Sequence, residues 1–138
     1  MSVALKLSWR LAATLVVGGF LFAGWLAYQT LDTQARLNTA LDLGQQAAAA
    51  VSKHYQQTQK LPDTVEEVGF VLPTDSVVQT VELDFRMGIL SLALRGSGLD
   101  GAYLYLLPTA DTRNQLTWAC RSKGISEHLL PGGCQPAK

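Results

Sequence analysis

The sequence predicts an α+β fold, with one long N-terminal helix laid across a four-stranded antiparallel sheet. Three observations predict it. Leu11 to Leu31 is an apolar run without a single charge. From Thr30 to Gln59 there is no proline and one glycine, and apolar residues recur every three or four positions, the period of a helix buried along one stripe. Beyond Pro73 the apolar residues fall on alternate positions, the period of a strand buried on one face.

A chain of 138 residues amounts to about one domain. Eleven basic residues balance eleven acidic ones, so the chain lacks the basic field of a nucleic-acid binder. Apolar residues at 48% exclude a disordered chain. Charged residues at 16% fall below the usual quarter, and the shortfall is local, since no charge occurs between Arg10 and Asp32.

The 21 residues of Leu11 to Leu31 would rise about 31 Å as a helix, enough to cross a hydrocarbon core of about 30 Å. Trp9 at one end, and Trp25 with Tyr28 near the other, suit the headgroup region. Lys6 and Arg10 precede the run, and only Arg36 follows closely. The positive-inside bias then assigns residues 1–10 to the cytoplasm, 11–31 to the membrane and 32–138 to an extracytoplasmic domain. A cleaved secretory signal is the rival reading. Its best exit site, Trp25-Leu26-Ala27, puts a tryptophan where a small residue is needed, and the expectation is an uncleaved anchor.

Leu37, Leu41, Gly44, Ala48, Val51 and Tyr55 form the helical stripe, with Gln45, Gln46, Ser52, Lys53, Gln56 and Gln57 largely off it. With no break after Leu31, one continuous helix from Ser8 to Thr58 is expected, about 75 Å long. Leu61-Pro62 ends it, because a residue before proline is pushed out of helical geometry. Thr64 and Glu67 then fit a capping box stopped by Gly69, or else an acidic surface loop.

Four strands follow: Val77 to Phe85, Ile89 to Arg95, Ala102 to Pro108 and Gln115 to Cys120. In the first, Val77, Val81, Leu83 and Phe85 share one face, and Val78, Thr80, Glu82 and Asp84 the other. Leu90, Leu92 and Leu94 share a face of the second, and Leu116, Trp118 and Cys120 a face of the fourth. Such a meander has one apolar face for the helix to cover.

Chemical motifs are few. Gly96-Ser97-Gly98-Leu99-Asp100-Gly101 spells G-x-G-x-x-G, but a strand follows where a dinucleotide site needs a helix. His54 and His128 stand alone in the chain, and no nucleophile elbow or H-E-x-x-H occurs. No catalytic residue, metal, cofactor or small-molecule substrate is expected. Trp118 and the Tyr103/Tyr105 pair fit a carbohydrate or partner surface, or ordinary packing, which is the commoner use of strand aromatics. Cys120 and Cys134, 14 positions apart, suit a disulfide in an oxidising compartment. A metal site with the histidines, or a redox pair, are the alternatives, but neither tight zinc spacing nor Cys-x-x-Cys is present.

Taken in order, AAAAVSKHYQQTQKLPDTVEEVGF, VVQTVELDFRMGILSLAL, GLDGAYLYLLP and QLTWACRS…HLLPGGCQ resemble the C-terminal part of bacterial type IV pilins over about Ala47 to Gln135. The Trp-x-Cys strand and the closing Leu-Pro-x-x-Cys are the most specific pieces. The resemblance implies a disulfide from Cys120 to Cys134 enclosing a C-terminal loop, an anchor in the bacterial inner membrane, a periplasmic or surface domain, and other pilins or pilus-assembly proteins as partners. It implies a structural or accessory part in adhesion, motility or secretion. The N-terminus departs from the pattern: Gly19-Phe20 follows apolar residues rather than a basic leader, and the first acid is Asp32. That departure raises a second role, a permanently tethered module that regulates assembly or binds a ligand outside any filament.

Overall fold

The computed structural model describes the backbone of residues 2–137 and the side chains of residues 14–137. Lys6, Trp9, Arg10 and the start of the predicted span at Leu11 therefore lie outside the described side chains. The chain divides into two compact units, residues 1–32 and 33–138.

One helix, α1, covers Ser2–Thr58. It begins six residues before the expected Ser8, because nothing between Ser2 and Leu7 breaks a helix. Within the first unit its described apolar side chains, among them Leu15, Phe20, Phe22 and Trp25, are all exposed.

The second unit carries the core. Strands β1 (Val78–Asp84), β2 (Ile89–Leu94), β3 (Tyr103–Ala110), β4 (Leu116–Lys123) and β5 (Cys134–Pro136) form one sheet in chain order. The first four are antiparallel, and β5 runs parallel to β4. The sheet thus has five strands where four were expected. The fifth escapes sequence patterning because it is three residues long and includes Pro136. It is positioned by its register with β4, where Cys134 lies opposite Cys120.

Register builds the inner face row by row. Leu83, Leu90, Leu106, Cys120 and Cys134 form one row across all five strands. Val81, Leu92, Leu104 and Ser122 form the next. The expected alternation fails in β1 alone. A bulge between Val78 and Thr80 shifts its phase, so buried Val78 joins Val81 and Leu83 on the inner face. Phe85, expected on that face, lies beyond the strand in the turn and is exposed.

Candidate functional site

Two surfaces carry the chemistry of this molecule: the bare apolar flank of α1, and the seam between α1 and the sheet. The seam is built from the predicted stripe. Leu37, Gly44, Ala48 and Val51 are buried, Leu41 and Tyr55 half-buried. Ala40 and Ala47, which the stripe omitted, are buried as well. Small residues recur here because the backbones approach closely. A Cβ on Gly44 would lie 3.0 Å from methyl carbons of both Leu92 and Leu106, so glycine is what lets the helix rest on the second and third strands.

Ser52 belongs to this seam and not to the solvent side assigned from periodicity. Its Oγ accepts a hydrogen bond of 2.8 Å from the Trp118 indole Nε1, which satisfies the donor of a half-buried aromatic. Trp118 is accordingly a packing residue. Two loop residues complete the core. Val65 is buried from the turn after α1, and Leu99 from the glycine-rich loop. In the Val65 turn Thr64 Oγ1 accepts from the Glu67 N–H at 3.4 Å, as a capping box requires, while the Glu67 carboxylate accepts at 2.8 Å from the Asp63 N–H, one residue before the N–H the box would use. The G-x-G-x-x-G segment joins β2 to β3, and its Asp100 Oδ1 accepts from the Gly96 N–H at 3.0 Å. It is a turn.

The termini of the sheet are tied separately. Cys120 and Cys134 are joined as a disulfide, with Cα atoms 4.5 Å apart, and the bond sits inside the inner row of the sheet. The enclosed segment includes the short 3-10 helix Glu127–Leu129, and the carbonyl of His128 accepts from Gln34 Nε2 of α1 at 3.4 Å. His54 lies twenty positions further along α1 than Gln34, beside Lys53 and Glu67. The two histidines are therefore not brought together. The far end of the helix is held by Gln59, which adopts φ 57° after the last turn and accepts through Oε1 from Asn114 Nδ2 of the β3–β4 turn at 3.0 Å. No sequence signal marks that pairing, since both residues are polar and exposed.

One helix thus presents an apolar flank from one stretch and a protein-packed stripe from the next. The helix is long and apolar enough to cross a membrane and fits a single-pass anchor. Residues 33–135 match the pilin family, a family of bacterial filament proteins. The chain belongs to the pilin family. Among curated proteins no match is found.

Proposed function

We propose that this protein is a type IV pilin-like component of a pilus or related secretion system, anchored in the bacterial inner membrane. In this reading residues 1–10 are cytoplasmic, 11–31 cross the membrane, and 32–138 form a periplasmic domain that can be carried to the cell surface. Its work is non-covalent: the apolar flank of α1 inserts in lipid or packs against other pilin helices, while the disulfide-closed domain displays a surface. The observation that carries the reading is the exposed apolar flank from Leu15 to Leu31, attached to a domain of the pilin family.

A second role is favoured by one specific feature, the absence of any acidic residue between Leu11 and Leu31. A buried subunit amine needs a carboxylate partner in low dielectric, and a chain lacking one suits permanent tethering. Intact mass of the mature protein, together with immunoblotting of sheared filaments, separates the roles. A shortened chain in the sheared fraction identifies a filament subunit. A chain that keeps Lys6 and Arg10 and stays with the membrane identifies a tethered module.

A further inference from the structure

The face of the sheet turned away from α1 is not used by any part of the fold described so far. Tyr103, Tyr105 and Leu107 alternate with buried Leu104 and Leu106 and point to this outer side. The two tyrosine rings stack, with centroids 6.0 Å apart and planes 10° from parallel. Across the β3–β4 ladder each tyrosine faces a cation: Tyr103 opposes Lys123, and Tyr105 opposes Arg121. Beside Tyr105 lies a shallow, open hollow of about 350 Å³ lined by Ile89, Leu107, Ala137 and Arg121 together with the tyrosine. Arg121 is held there by donating through Nη1 to Gln135 Oε1 of β5, which leaves other donors of its planar fork for a ligand.

Among the described residues, the strand carboxylates on this face belong to β1, where Glu82 opposes Ser91 and Asp84 opposes Ile89. The Asp84 Oδ1 is engaged by the N–H groups of Arg86 at 2.9 Å and Met87 at 3.3 Å. The face is thus graded from acid on β1, through apolar and aromatic side chains on β2 and β3, to cations on β4. A hollow of this size, mostly apolar with one oriented polar group, has the make-up of a small-ligand site. Its occupant needs an apolar face to lie on the tyrosine ring and a carboxylate to meet the guanidinium. An inorganic anion would waste the apolar floor. A nucleic acid would meet a near-neutral chain in which Arg121 and Lys123 of β4 are the cations paired with the tyrosines, too few for a phosphate-binding field.

We propose that this hollow binds a carboxylate-bearing sugar unit, a hexuronic acid of a surface polysaccharide, with the pyranose on Tyr105 and its carboxylate on Arg121. Lys123, opposite Tyr103 in the β3–β4 register, offers a second cation beside a ring for the adjoining unit of the chain. The site does not depend on whether the protein enters a filament.

The test uses the full chain in lipid nanodiscs, titrated with trigalacturonic acid by calorimetry. The neutral galactose trisaccharide and single-stranded oligo-dT serve as the other arms. Trigalacturonic acid is expected to bind and the neutral trisaccharide not. Arg121→Gln should weaken binding about tenfold, the usual loss of a charge-assisted hydrogen bond. Lys123→Gln should weaken it less, and Arg113→Gln in the β3–β4 turn should leave it unchanged. Thermal melting of each variant reports its fold. Should Arg121→Gln melt early, Arg121→Lys keeps the charge without the fork and is expected to weaken binding about threefold. Equal binding of the neutral trisaccharide, tighter binding of oligo-dT, or unaltered affinity in the folded Arg121 variant would overturn the assignment.

Discussion

Two stretches of α1 make the instructive comparison, because they share a backbone geometry and differ in what their apolar side chains meet. From Leu15 to Leu31 the apolar side chains face outward, with Leu15 and Phe20 each 77% exposed. From Leu37 to Val51 they face the sheet, with Leu37, Ala40, Ala47 and Val51 all at 0%. The first stretch is apolar all round, as a helix surrounded by hydrocarbon must be. The second confines its apolar residues to a stripe and chooses small ones, because its neighbour is a sheet of leucines that leaves little room. Apolarity alone therefore says that a helix avoids water. The width of the apolar face says what replaces it.

Truncation at matched apolar positions should separate the two environments most sharply. Leu92→Ala removes a fully buried side chain from the middle of the seam and is expected to destabilise the domain by about 4 kcal/mol. Phe20→Ala should leave the domain's denaturation midpoint unchanged, since no part of its core is touched. Chemical denaturation in micelles, followed by Trp118 fluorescence, reads both. Next in size is Cys134→Ser, which frees β5 from β4 and is expected to cost about 3 kcal/mol in the chain-entropy account. The loss should appear as a lower denaturation midpoint, with membrane retention unaffected.

Gly44 tests the closeness of the seam. Gly44→Val drives branched carbons into the methyls of Leu92 and Leu106, and a loss of about 2 kcal/mol is expected. The equivalent change at Gly18, where a Cβ would meet nothing within 4 Å, should leave the domain's midpoint where it was. The smallest effect has the opposite sign. Ser122 is 2% exposed and its Oγ has no hydrogen-bond partner among the described residues. Ser122→Ala should raise stability by about 1 kcal/mol by removing that buried hydroxyl, visible as a higher midpoint.

Much of this was legible in the residues themselves. The uncharged run, the stripe through Leu37 and Val51, and the alternation of Leu90, Leu92 and Leu94 each follow from a single period, and a period needs no knowledge of the partner. What escaped was set by contacts distant in the chain. Ser52 looked like a solvent residue because its partner, Trp118, lies 66 positions away. Val78 changed face because a bulge, which depends on pairing with β2, altered the count. β5 is too short to have a period, and its place is legible only once Cys134 is known to lie opposite Cys120. The outer hollow was readable only as a tyrosine pair. Its cations come from another strand, and register alone brings Arg121 to Tyr105.

The division of α1 between two solvents is tested most directly by spin-label accessibility in a reconstituted bilayer, with single labels at Phe20→Cys and Gln45→Cys. The label at position 20 should relax readily with oxygen and be shielded from a water-soluble nickel complex, while the label at position 45 should show the reverse. Nickel access at position 20 equal to that at position 45 would contradict the account.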